Sequence, residues 1–401
     1  MDHDDIDLTG ASAPVAIVGA GVAGCALALH LGGCGHDVLL FDRSRFPREK
    51  VCGEGLMPNG VAELERLGLL GALRKSGAQP FTGIAYHLGA KVAKGRFPAP
   101  RQEGLGVRRL HLDAALAEAC SDHPRIALHT GTQVTAIEIG SEGVRITTTR
   151  GRVMARVVVG ADGLHSKVRR KLGLHQATPG VHRYGARAHY RITGPPPDVV
   201  QVHVTEACEF YVTPTASNAV NVTLLGRREL TRSFRGAIRG GFQSRVDAHR
   251  PIRELLSGSK RLTTPELVGP LRQQVSGTVA NRAVLVGDAA GFVDAITGEG
   301  MSIALISARI AAEVLDDALG RDRLSQIDLL PYEQRHARAV QDGARLTEIV
   351  LWGLRQPRIA ERVLGNLKRH PDLFDTLLAV NAGQASLRDI GLRGLVRMLV
   401  G

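Results

Sequence analysis

Aromatic residues are scarce: one tryptophan, five tyrosines and nine phenylalanines make up 4% of 401 residues. Proteins that recognise nucleic acid interleave aromatics with dense Lys/Arg blocks, and no such block occurs, so the sequence predicts no nucleic-acid partner. The formal charge of +12, from 51 basic and 39 acidic residues, is instead spread along the chain. Such a surface can still draw an anionic cofactor or membrane. The five cysteines, Cys25, Cys34, Cys52, Cys120 and Cys208, are dispersed and odd in number, with no Cys-x-x-Cys pair. That excludes a disulfide framework and predicts no metal site. No apolar run reaches the roughly 18 residues of a membrane span. Met1 to Ala13 is acidic and polar and lacks a signal peptide's basic and apolar regions, which predicts a loose tail and a cytoplasmic location. Short repeats and low-complexity tracts are also missing.

What is present fits two domains sharing a ligand. A strand (Val15 to Val18), a Gly-rich turn, a helix (Val22 to Leu31) and a second strand (Val38 to Phe41) form a βαβ beginning. A loop runs from Arg43 to Pro58, and helical spacing follows from Val61 to Leu70, ending near Gly71. Leu112 to Cys120 reads as a helix, and Val134 to Ile139, Val144 to Thr148 and Val153 to Val159 read as strands. From Tyr184 to Leu225 alternating stretches predict a largely antiparallel sheet, interrupted by Pro195-Pro196-Pro197. The βα pattern returns with Ala283 to Val286 and a helix from Gly300 to Leu315, and Arg-rich helices follow from Tyr332. The expected organisation is a tail (1–13), a discontinuous α/β domain (14–80, 101–183, 278–325), an inserted mainly antiparallel domain (81–100, 184–277) and a helical C-terminal region (326–401).

Three motifs carry chemistry. Gly19-x-Gly21-x-x-Gly24 lies between strand and helix, where glycines let backbone N–H groups approach a pyrophosphate at a helix N-terminus. Asp42 ends the next strand, eighteen residues after Gly24, where an acid can accept from a ribose hydroxyl. The second motif, Gly160-Ala161-Asp162-Gly163, follows the apolar run Val157-Val158-Val159. Its plain alternative is a strand-to-helix turn with Asp162 as cap. The third is Gly287-Asp288-Ala289-Ala290-Gly291-Phe292, followed by Gly298-Glu299-Gly300-Met301 at the start of a helix. Asp288 can hold a polyol hydroxyl, and the helix start can stabilise the negative N1–C2=O edge of a reduced flavin.

In this order, over roughly the first 320 residues, the motifs resemble the p-hydroxybenzoate hydroxylase-type flavin monooxygenases and the geranylgeranyl reductases. The resemblance implies an α/β fold: a Rossmann-like FAD domain of glutathione-reductase type with an inserted substrate sheet. It implies FAD as cofactor and NADPH or NADH as reductant. Gly19, Gly21 and Gly24 would meet the pyrophosphate, Asp42 the adenosine ribose and Asp288 the ribityl chain or pyrophosphate. Gly298, Gly300 and Met301 would present backbone to the flavin. Arg109, in Arg-x-x-x-Asp-x-x-Leu with Asp113 and Leu116, matches the family arginine, with Arg108 one residue away. Asp162 belongs to the motif tied to FAD and NAD(P)H. Arg43 and Val134 complete the expected cofactor contacts.

The loop Arg45-Phe46-Pro47-Arg48-Glu49-Lys50-Val51-Cys52-Gly53-Glu54-Gly55-Leu56 resembles the Cys-Gly loop of the reductases, which lies beside the flavin. Cys52 is thus a candidate redox or proton-handling residue, or a small residue packed on the ring. Glu209-Phe210-Tyr211-Val212-Thr213-Pro214 lacks the Trp of the prenyl reductase motif. The single Trp352, far downstream, argues against the halogenases' Trp-x-Trp-x-Ile-Pro. The favoured expectation is an NAD(P)H-dependent monooxygenase that works through a flavin C4a-hydroperoxide on an apolar or aromatic metabolite, such as a polyketide-like secondary metabolite. The alternative is a flavin reductase saturating a lipid double bond. His189, Tyr190, His203 and Tyr211 fall on the expected substrate sheet, and structural placement is the simpler expectation for each. Leu387 to Val400 mixes apolar and basic residues, for a helix docked on the protein or touching an anionic membrane.

Overall fold

The computed structural model describes residues 7–234 and 238–399. Its first sheet is built on the βαβ unit: β1 (Ser12–Val18), α1 (Val22–Gly33) and β2 (Val38–Phe41). β1 pairs in parallel with β2 on one side and with strand Gly151–Gly160 on the other. Ile126–His129 extends the parallel set beyond β2, and Ala283–Leu285 extends it beyond Gly151–Gly160. Strands Val134–Ile139 and Val144–Thr148 add an antiparallel branch. Val15, Ile17, Val157 and Val159 are fully buried. Both faces of these strands are covered, which is why they read as continuous apolar runs. α1 and the helix Gly300–Gly320 pack together on one face.

The second sheet takes strands Lys91–Arg96, Gly83–Leu88, Val200–Val204, Glu209–Ala216, Ala219–Arg227 and Arg183–Arg191 in that spatial order. All of these neighbours are antiparallel except Gly83–Leu88 with Val200–Val204, which run parallel. The sheet is therefore mainly antiparallel, with one parallel pair. The short helices Arg228–Ser233, Ile238–Ala248 and Arg250–Leu255 cover one face through Phe242, Val246 and Ile252. The C-terminal helices cover the other, with Phe374 and Leu378 packed against Ala93.

Three expectations need correction. Residues 7–11 are not loose: Leu8 is buried, and Leu8 N and Gly10 N donate to Arg150 O and Arg152 O. The strand at the start extends back to Ser12. The helix expected from Val61 to Leu70 is two helices, Pro58–Arg66 and Leu70–Lys75. Gly68, at φ +72°, ends the first, with Leu69 N returning to Leu64 O. The C-terminal helix Leu387–Leu399 is kinked where Gly391 adopts φ +61°, and Val400 lies outside the described residues. No helix among the described residues is long and apolar enough to cross a membrane.

Candidate active site

The Gly-rich turn is set by close approach. Gly19 has φ +107°, and a Cβ there would stand 2.5 Å from the Ala161 carbonyl oxygen. A Cβ on Gly24 would stand 1.8 Å from Gly19 O. α1 can therefore cross the turn only with glycine at both positions. Gly21 is the N-cap and supplies no side chain; the first helical bond is Cys25 N to Gly21 O. The N–H groups of Val22, Ala23 and Gly24 thus have no partner within the helix. Asp42 is buried at the end of β2 and accepts from Ala20 N at 2.9 Å and Ser44 N at 2.8 Å. Its carboxylate fastens the turn.

A second helix start faces the same space. Gly300–Gly320 begins after Glu299 without a side-chain cap, and Ile303 N to Glu299 O is its first bond. Gly298, Gly300 and Met301 line one cavity together with Gly21, Cys52, Arg109 and Asp288. Asp288 reaches it from the turn Gly287–Ala290, whose carbonyls at 288 and 289 accept from Arg169. Neither helix start carries an acid in its first turn.

Cations gather there. Arg109 makes two 2.8 Å bonds to the buried Asp113, while its own N–H donates to Glu54. Arg108 turns away to Glu49, so Arg109 is the arginine in the cavity wall. Arg48 joins Asp113 at 3.0 Å, and its other nitrogen lies 3.6 Å from where a Cβ on Gly21 would stand. Lys50 Nζ is 4.0 Å from that point, and burial pushes its ammonium below the usual range. Two uncapped helix starts and three cations make a cradle for an anionic group such as a diphosphate. The sequence reading passed over Arg48 and Lys50, although both sit in the loop it singled out.

The same loop joins the two sheets. Glu54, fully buried at φ +62°, accepts from His189 Nε2 at 2.5 Å and Asn221 Nδ2 at 2.9 Å. Asn221 Nδ2 also donates to Cys52 O, and Arg187 Nη1 lies 3.0 Å from His189 Nδ1. With the arginine donating to Nδ1, the imidazole carries its proton on Nε2, toward Glu54. Cys52 lines the cavity and burial raises its thiol pKa, with Arg109 opposing, so the thiol stays protonated at neutral pH.

Several expected contact residues lie outside the wall of this cavity. Arg43 is exposed beyond β2, and Val134 is buried in the cluster under the antiparallel branch. Asp162 accepts from Ser166 Oγ, Lys167 N and Val168 N and so caps the short helix Lys167–Lys171. None of the three is in the cavity wall, and neither are Gly19, Gly24 and Asp42, which shape the turn. On the second sheet His189 is structural, Tyr190 and His203 lie off the cavity, and Tyr211 lines it. Tyr211 is held by a 3.1 Å bond to Ile296 O.

The wall divides by chemistry. Its charged side chains are Lys50 and Glu54 from the loop, Arg109 from a helix start and Asp288 from the turn Gly287–Ala290. The second sheet contributes only neutral groups, among them Ile84, Tyr86, Val202 and Tyr211, facing Leu271 and Phe292. The whole space is about 1430 Å³, counting its open mouth.

Comparison with known proteins matches residues 12–250 to the FAD binding domain family. The chain belongs to this family. Menaquinone reductase of Mycobacterium tuberculosis is 30% identical over 326 residues, 76% of this chain and 77% of the relative. 6-Methylpretetramide 4-monooxygenase of Streptomyces rimosus is 36% identical over 174 residues, 41% and 42% of the two chains. Among solved structures, a flavoprotein/dehydrogenase from Cytophaga hutchinsonii superposes with TM-score 0.84 over 97% of both chains at 18% identity, a likeness of fold. The protein is thus an FAD-dependent oxidoreductase of a family that holds both monooxygenases and reductases. FAD suits the cradle: a Cβ would fill it at Gly21, and its cations and free N–H groups match a diphosphate.

Proposed function

We propose that this flavoprotein oxidises an uncharged, apolar or aromatic small molecule by monooxygenation, using NADPH or NADH as reductant. The observation that carries the reading is the division of the cavity wall. Its charged side chains come from the loop, the Arg109 helix start and the Asp288 turn, and none comes from the second sheet. A carboxylate or amino-acid substrate would there lose its hydration without gaining a partner. In this reading residues 81–100 and 184–277 form the substrate domain, and 14–80, 101–183 and 278–325 the FAD domain. Gly21, Arg48, Lys50 and the start of α1 hold the diphosphate. Arg109 and Asp288 flank the ribityl chain. Gly298, Gly300 and Met301 present backbone to the flavin, which when bound supplies the two-electron and oxygen chemistry. Tyr86, Val202, Tyr211 and Phe292 orient the substrate and exclude water.

One observation favours a second reading, reduction of a carbon–carbon double bond. Cys52 is a protonated thiol in the cavity wall, a group able to give a proton to a reduced product, and a menaquinone reductase is among the relatives. Turnover of a cognate substrate under ¹⁸O₂ separates the two. Label in the product supports monooxygenation. A saturated, unlabelled product formed without oxygen replaces it with reduction. Exposed Leu392 and Val396 beside Arg393 and Arg397 also suit contact with an anionic membrane. Sedimentation with anionic liposomes, before and after truncation at Ser386, tests that contact.

A further inference from the structure

Glu299 stands between Gly298 and Gly300, two residues of the cofactor wall, yet its side chain turns the other way. It enters a second cavity behind the helix start, with Asn59, Ser307, His336, Asp342 and Gly343. A Cβ on Gly343 would stand 2.4 Å from its carboxylate, so the helix Gln326–Leu354 closes against it through a glycine. Its hydrogen bond is a long one, 3.4 Å from Thr297 Oγ1. No basic group lies within ion-pair distance of it among the described residues. The other titratable groups of this cavity are His336, Arg338 and Asp342, all from the facing helix. Burial holds His336 neutral, Arg338 is exposed, and Asp342 accepts from Leu387 N. The helix Pro371–Asn381 adds only the neutral Asn381, which donates to Thr297 O.

The free N–H groups of the helix start thus have an acid on one side and the cofactor cavity on the other. Two-electron reduction with uptake of one proton leaves a flavin with negative charge at its N1–C2=O edge, the part this helix start would hold. A carboxylate behind the same N–H groups competes with that charge for them. Charge added on the cofactor side must therefore raise the proton affinity of the acid behind it. We propose that Glu299 takes up a proton from solvent, through the second cavity, when the flavin is reduced. The flavin gains two electrons and one proton from an external donor, and the carboxylate gains a second proton to become the neutral acid. The inference rests on the FAD placement above. Burial, partly offset by Thr297, already pushes the Glu299 carboxyl up to about 8, so the coupling opens just above neutrality.

The test is the midpoint potential of the FAD-loaded protein between about pH 7 and 9.5, titrated with dithionite against reference dyes. One proton per two electrons gives about 30 mV per pH unit, and two protons give about 60. The wild type should steepen from about 30 to about 60 mV per pH unit above about pH 8. Glu299→Gln should keep the flavin spectrum and hold the shallower slope throughout. His336→Asn should steepen like the wild type. A wild type with one slope over the whole range overturns the proposal, and so does a Glu299→Gln protein that still steepens. If Glu299→Gln fails to fold, the wild-type slope alone decides. A chain that binds no FAD would instead refute the cofactor placement, a failure distinct from this one.

Discussion

Gly21 and Gly24 belong to one motif but do different work, and a single methyl group on each separates them. At Gly24 the added Cβ would lie 1.8 Å from Gly19 O and 3.2 Å from the Ala161 side chain. That is roughly 1.5 Å inside ordinary contact. Both obstacles belong to the packed turn, so α1 must lift from the sheet. The cost of such overpacking is about 1–3 kcal/mol. At Gly21 the added Cβ would meet only the tips of Arg48 and Lys50, at 3.6 and 4.0 Å, and the backbone φ of −81° suits alanine. The change in fold stability there is about 0.5–1 kcal/mol, the preference of an N-cap for glycine over alanine. The methyl instead enters the space assigned to the diphosphate. Gly24→Ala should therefore lower the melting temperature of the FAD-free protein by several degrees. Gly21→Ala should lower it less than Gly24→Ala does, while weakening FAD binding by about tenfold or more, about 1.4 kcal/mol. Differential scanning calorimetry of the FAD-free protein and fluorescence titration with FAD read the two effects. A Gly21→Ala protein with wild-type FAD affinity would refute the placement of the diphosphate. Equal losses of stability in both variants would refute the division of labour.

Asp42→Ala should lower both FAD affinity and the melting temperature of the FAD-free protein, by about 1–3 kcal/mol in stability, because Ala20 N and Ser44 N lose their acceptor; calorimetry and FAD titration check it. Cys52→Ala should keep FAD and most turnover under the monooxygenase reading, and iodoacetamide should label exposed Cys34 before Cys52; an FAD-loaded but inactive variant would favour the proton-donating role. Burial pushes His336 down to about 4 from an ordinary 6.5, so the unfolded chain binds the extra proton. Stability should then fall as pH drops from 6.5 toward 4, by about 1.4 kcal/mol per pH unit, and His336→Gln should flatten this part of an acid denaturation curve. Glu299 acts with the opposite sign: its raised pKa stabilises the fold at low pH, and that contribution fades as pH rises from 4.5 through about 8.

The parts of the fold legible in the sequence are those whose pattern is local. β1, the Gly-rich turn, α1 and β2 follow one another within thirty residues, and each carries its own periodicity or turn chemistry. The motifs at Asp288 and at Gly298 to Met301 share that property. Pairing between distant segments was not legible. Gly83–Leu88 joins the second sheet beside Val200–Val204, in parallel and more than a hundred residues away, and no alternation announces the direction of a strand. The three short helices between Arg228 and Leu255 carry too few turns each for a clear apolar stripe. Asp162 shows the converse: one strand-turn-helix pattern served both the cofactor and the capping interpretation, and only the partners of its carboxylate distinguish them.

Glu54 shows why the site itself needed the structure. From the sequence it is one acid in a glycine-flanked loop, and its three donors come from positions 109, 189 and 221. Arg109 starts the helix Arg109–Asp122, whereas His189 and Asn221 are neighbours in register on adjacent strands of the second sheet. A buried carboxylate with three donors is costly to leave half-satisfied, so losing either side penalises the other. The loop that carries Lys50 and Cys52 into the cavity wall is therefore fixed by partners on both sides, Arg109 and the second sheet. This ties the assembly of the cationic cradle to the presence of the apolar wall. A loop held from the Arg109 side alone would tolerate His189→Leu. Here that substitution unpairs Glu54 and should loosen the loop on which both ends of the cavity depend.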